Sequence, residues 1–278
     1  MSNKNEDLVL RAAAPDHGPL AATSAGSEAA AIAKAHTSQE KASLARHGEK
    51  HAGYHIEMNQ VWYSLHGHKT LGWPVYRTCY DGDDERWDTF KLKFRSLLLS
   101  AWQKCFPAEE AEERARFIDF PFWEDQARFE GASTAQLREH YKEYLNSSAP
   151  FEEQSLPVLT GEARQRFFDR WYVRYQFFLV ADAAAIASVF NSPETPPRYL
   201  TEATPWINVV QVAWSEVEEK DDDEPDDGYE IVEGTDLFNV GVHRHSVQTL
   251  YPGLWTAIQY FDFQYWYERP PEVKWEEA

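Results

Sequence analysis

The stretch from Gly72 to Cys105, GWPVYRTCYDGDDERWDTFKLKFRSLLLSAWQKC, constrains the fold most, because it joins a strand to a long helix through a single acidic turn. Trp73, Val75, Arg77 and Cys79 alternate with Pro74, Tyr76, Thr78 and Tyr80, the two-residue period of a strand with side chains on both faces. Pro74 has no amide to donate, so it belongs at a strand's first residue or on an edge. Asp81 to Glu85 supply a turn and a cap, and their carboxylates sit where a helix dipole favours negative charge. A helix is expected from near Asp84. Trp87, Phe90, Phe94, Leu97, Leu98, Ala101, Trp102 and Cys105 recur at spacings of three and four and make its buried stripe.

The 278 residues include 41 aromatics, of which only Tyr54 lies in the first 55. The sequence therefore divides into an arm over residues 1–55, disordered or transiently helical between Ser27 and Arg46, and one core-forming domain over residues 56–278. A formal charge of −19 argues against a nucleic-acid backbone or an anionic membrane as partner. More than half of it comes from residues 216–236, an acidic loop with twelve acids and one lysine. No run of 18 apolar residues reads as a membrane span, and the first residues lack the basic and apolar regions of a secretory signal. Cytoplasmic residence is the default expectation. Cys79 and Cys105 are too few for a disulfide framework.

Further along, Ser133 to Gln136 forms a capping box ahead of Leu137, Tyr141, Tyr144 and Leu145, which predicts a second long helix. Strands are expected over 171–180, 206–214, 237–247 and 260–268, with a short helix capped by Asp182 between the first two. This order predicts an α+β fold, a mixed or antiparallel sheet with helices on one face. A ferredoxin-like core is the nearest simple model.

The strings GWPVYRTCYDGDDERWDTF and YERPPEV, with the acidic loop ahead of the penultimate predicted strand, resemble an uncharacterised family of intracellular proteins from filamentous fungi. The similarity covers roughly Leu71 to Val273. It implies kinship and brings no activity, cofactor or site residue with it.

Several residues invite chemistry. Two His-x-His pairs occur, His66-Gly67-His68 and His243-Arg244-His245; His243 and His245, two apart on a predicted strand, project from the same face and offer two imidazoles to one metal ion. No third ligand follows at the usual spacing, so solvent-facing or hydrogen-bonded histidines are the plainer reading. The acidic loop fails as an EF-hand: with Gly228 at the turn, Pro225 takes the third position and Gly234 the twelfth. Arg77 among apolar neighbours suits either a carboxylate or phosphate ligand or a structural pair with Asp262 or Glu268. Cys79 lacks the nearby base of an activated thiol. No nucleophile elbow, P-loop, dinucleotide fingerprint or paired-cysteine zinc motif occurs.

Two functions follow. The first is a non-catalytic module that binds a protein partner or small-molecule ligand through an aromatic sheet face, Phe261, Phe263, Tyr265 and Tyr267, and the acidic loop. The second is a small-molecule enzyme gathering Arg77, His243, His245 and Asp262 into a pocket, with or without a metal. The cofactor is left open. The first predicts an exposed apolar patch, the second a concavity where those four side chains meet.

Overall fold

Strand β1 (Val75–Arg77) is shorter than the alternation around it and buried throughout. The computed structural model describes residues 68–82, 84–103, 106–170, 173–193, 203–216, 229–260, 263 and 267–274. These all belong to one compact unit, Glu49–Ala278. The predicted arm, residues 217–228 of the acidic loop, His66, Cys105, Phe261, Asp262 and Tyr265 lie outside the described residues.

Helix α1 (Asp84–Trp102) follows β1, with Asp84 and Glu85 in its first turn. After α2 (Ala108–Ala115) come β2 (Phe122–Trp123), α3 (Gln126–Phe129) and α4 (Thr134–Asn146). Then follow α5 (Ala149–Gln154), α6 (Gly161–Arg170), α7 (Val173–Gln176), β3 (Phe177–Ala181), α8 (Ala183–Asn191) and β4 (Trp206–Gln211). Strand β5 (Val242–Ser246) leads through short 3-10 and π turns into α9 (Trp255–Tyr260), and β6 (Val273–Lys274) closes the order.

The fold is α+β. Its sheet has six strands in the order β2-β1-β3-β4-β5-β6, with β1 parallel to both neighbours and β4 antiparallel to both of its own. A ferredoxin-like core is not reproduced, since β1 lies between two parallel partners.

Helices cover both faces rather than one. Val75 pairs with Phe122 and Leu179, which share one face; Tyr76 pairs with Trp123 and Val180 on the other. On the first face α1 places Phe90 and Phe94 against Phe122, at 6.4 and 6.0 Å between ring centroids. On the second, Tyr141 of α4 meets Phe178 at 5.4 Å and Trp123 at 5.8 Å. The physical reason was visible in β3, whose five residues are apolar on both sides and all buried, so each side demands cover.

The expected last strand over 260–268 is not formed by its described residues. Trp255–Tyr260 is helical, and buried Leu250, Leu254, Trp255 and Ile258 follow helical spacing. Helices α4 and α8 match the sequence well. Ser133 and Gln136 form the capping box of α4, and Asp182 caps α8 by accepting from the Ala185 amide at 2.7 Å.

Candidate functional site

Arg77 is buried under α1, with its guanidinium 4.3 Å from the Tyr80 ring and 4.8 Å from that of Trp87. Its Nε donates to Cys79 O at 3.1 Å, and Nη1 lies 3.7 Å from Asp84, the first residue of α1. It thus pairs with Asp84 and ties the strand to the start of the helix, while Asp262, one of the two acids the sequence suggested, lies outside the described residues.

His243 and His245 are fully buried, not solvent-facing. Register pairs them with Val209 and Ile207, so they leave the sheet on the same face as those two apolar side chains. Their rings meet edge to face at 5.5 Å, His243 lies 5.1 Å from Phe263, and His245 Nε2 is 3.1 Å from Thr249 Oγ1. Among the described residues no group of three His, Cys, Asp or Glu is arranged to hold a metal ion. His68 is elsewhere, stacked on Phe167 at 5.7 Å. Nor does Arg77 reach the histidines: β3 and β4 stand between β1 and β5, a separation of roughly 14 Å.

Of the four aromatic side chains expected to form a surface, Phe261 and Tyr265 lie outside the described residues. Phe263 and Tyr267 are buried, each 5% exposed. The exposed large apolar side chains near the acidic run are Tyr229, Ile231 and Phe238, at 43%, 77% and 45%. Tyr229 and Phe238 face each other at 5.6 Å, and Phe238 rests edge-on against Tyr267 at 5.4 Å.

This patch is held from several sides. Val232 and Thr235 exchange backbone hydrogen bonds at 3.0 Å across a tight turn, whose Glu233 and Gly234 have φ of 55° and 88°. Two successive positive φ values are the hairpin geometry that glycine at the second position makes accessible. Thr134, the first residue of α4, donates its hydroxyl to the Glu233 carboxylate. From the other side, buried Arg269 donates to Glu230 O and, at 3.4 Å, to Thr235 O, while its guanidinium lies 5.2 Å from the Tyr229 ring. Val240 N donates to the Tyr267 hydroxyl at 3.0 Å, fixing the ring beneath Phe238. Sequence reasoning passed over Tyr229, Ile231, Phe238 and Arg269; the one signal was Arg269 within YERPPEV.

A second cluster lies on the α4 face. The Tyr76 hydroxyl and His140 Nδ1 share a 2.7 Å hydrogen bond beside a concavity of about 400 Å³, which His140, Arg128 and Glu143 help to line. Burial pushes the Tyr76 phenol far above its ordinary range, and burial with the nearby Arg128 charge lowers His140 below 6.5. Arg128 is itself satisfied by Glu143 at 2.8 Å. The pair is a neutral imidazole that satisfies a buried phenol.

Comparison with protein-family models, curated proteins and solved structures finds no match. Among the described residues no helix is long and apolar enough to cross a membrane.

Proposed function

We propose that this chain is a non-catalytic binding module whose partner is a basic protein segment carrying apolar anchor side chains. The observation that carries this reading is the placement of Tyr229, Ile231 and Phe238, exposed together where the chain leaves its most acidic stretch. Residues 216–228 contain nine acids against one lysine, and Glu230, Glu233 and Asp236 add three more within the patch segment. Exposed aromatic and aliphatic side chains supply desolvation energy on contact, and the surrounding negative charge selects a basic partner. The bonds from Thr134 and Arg269 hold the segment before any partner arrives, which lowers the ordering cost of association. The net charge also disfavours nucleic acid as the partner.

The alternative, an enzyme built on Arg77, His243, His245 and Asp262, has less support. Arg77 is engaged by Asp84 and two aromatic rings, and the two histidines are buried, His243 against Phe263 and His245 against Thr249.

The test is a titration of the full chain with two short labelled peptides, one alternating Lys with Leu and its twin alternating Glu with Leu. The Lys peptide is expected to bind and to weaken as salt rises, and the Glu peptide not to bind. Equal binding of both would remove the electrostatic half of the proposal.

A further inference from the structure

The Tyr76–His140 pair fixes a tautomer. The Tyr76 hydroxyl is buried and, among the described residues, bonds only to His140 Nδ1, so its proton goes to that nitrogen. Burial and the Arg128 charge keep the imidazole neutral, which leaves its single proton on Nε2. Tyr76, Trp123 and Phe129 hold the ring edge to face at 5.5, 5.5 and 5.0 Å. Nε2 makes no hydrogen bond among the described residues and is not buried. His140 thus brings one oriented N–H donor to the concavity of about 400 Å³ beside α4.

The form and charge of this concavity select its occupant. Phe129 and Leu137 make a buried floor, and the small side chains of Ala132 and Ala135 leave room above it. Its rim, Arg128, Gln136, Glu139 and Glu143, is exposed, so the site is a groove along the flank of α4 rather than an enclosed small-molecule pocket. That suits a chain lying across the surface. Glu139 and Glu143 outnumber Arg128, which disfavours a carboxylate and leaves an uncharged carbonyl as the acceptor for Nε2–H. The two acids are four residues apart on α4, about 6 Å along its axis. Alternate side chains of an extended segment repeat at about 6.6 Å, so two lysines of such a segment match the two carboxylates. The pairs these acids form with Lys142 and Arg128, at 2.9 and 2.8 Å, are exposed and therefore weak and readily exchanged.

The groove starts where the patch is anchored. Thr134, which donates to Glu233 of the patch hairpin, opens α4, and Ala135 and Gln136 beside it line the groove. His140 follows about 9 Å farther along the helix. We propose that the basic segment bound at the Tyr229–Phe238 patch continues in extended form along the α4 groove, where a backbone carbonyl accepts from His140 Nε2–H and lysines meet Glu139 and Glu143. This rests on the patch reading above and adds to it a second contact surface and a conformation for the partner.

The test adds a Lys–Leu peptide of about twelve residues, roughly 40 Å when extended, to the isotope-labelled full chain. Imidazole NMR is expected to show His140 with its proton on Nε2, and that proton is expected to move downfield as the peptide binds. Ala135→Trp, at an exposed position, fills the groove and is expected to weaken the peptide about fivefold, as for one lost hydrogen bond. Glu139→Gln/Glu143→Gln is expected to weaken it by a similar factor at low salt. A proton on Nδ1, a His140 signal unmoved at saturation, or an affinity unchanged in Ala135→Trp would overturn the proposal. If affinity falls in Ile231→Ser/Phe238→Ser but in neither groove variant, the groove fails and the patch reading stands. A peptide that does not bind the unmodified chain overturns both.

Discussion

Arg138 donates from Nη2 to the carbonyl of Gly241 at 3.1 Å, and the space a Gly241 side chain would need is filled by that guanidinium and the Trp214 ring. A Cβ there would lie 2.3 Å from Trp214 Cγ and 2.7 Å from Arg138 Nη2, on a backbone whose φ is +66°. Gly241→Ala is therefore expected to destabilise the protein by about 2–4 kcal/mol, the sum of a left-handed backbone penalty and an overpacked contact. Urea denaturation measures it, and a loss near zero would show that the Trp214 ring is free to move aside.

Arg138 itself links α4 to the end of the β4–β5 pair. It donates to Gln211 O at 3.0 Å and to Val240 O at 3.3 Å as well as to Gly241 O, with Trp214 4.7 Å beneath the guanidinium. Burial lowers its pKa to about 10, so it still carries its charge at neutral pH. Arg138→Met preserves length and removes every donor, leaving buried carbonyls unpaired. The expected cost is about 2–4 kcal/mol, read from the same denaturation curves.

Ser133 opens α4 with a complete capping box, and the next residue, Thr134, holds Glu233 in the patch hairpin. Ser133→Ala is expected to cost about 1 kcal/mol of stability. It should also raise hydrogen exchange at the Val232 and Thr235 amides, which bond across that hairpin. Unchanged exchange would mean that α4 does not support the patch.

His140 gives a pH dependence. Its folded pKa is lowered from 6.5, by burial first and by the Arg128 charge second. The unfolded chain then binds the extra proton sooner as pH falls, so this contribution is complete above pH 6.5 and is lost as pH drops through 6.5 toward the folded pKa. His140→Asn, which keeps a polar partner for Tyr76, is expected to flatten the stability–pH slope just below that value. Equal slopes in the two proteins would contradict the assignment.

Local signals carried the helices. The acidic turn and spaced aromatics of α1, the capping box of α4 and the Asp182 cap of α8 act within one or two turns, so sequence suffices to read them. The sheet order was not legible, because placing β1 between β2 and β3 depends on register chosen by packing across long separations. In the C-terminal segment the alternating Phe261, Phe263, Tyr265 and Tyr267 suggested a strand. Phe261 and Tyr265 lie outside the described residues, while the segment just before them, whose Leu254, Trp255 and Ile258 have helical spacing, is helical as that spacing implies. The histidine pair illustrates the same limit: alternation correctly put His243 and His245 on one face, but not that this face is buried at both positions. The patch was least legible, since Tyr229 and Phe238 meet only because the hairpin folds back between them.

The most direct measurement of the binding account is fluorescence anisotropy of the labelled Lys–Leu peptide with the unmodified chain and with Ile231→Ser/Phe238→Ser. Both positions are exposed, so the double variant is expected to keep the fold, with circular dichroism as the check. The account predicts at least about a tenfold loss of affinity, since exposed apolar anchors of this kind carry most of the energy at such contacts. An affinity unchanged in the folded double variant would contradict it.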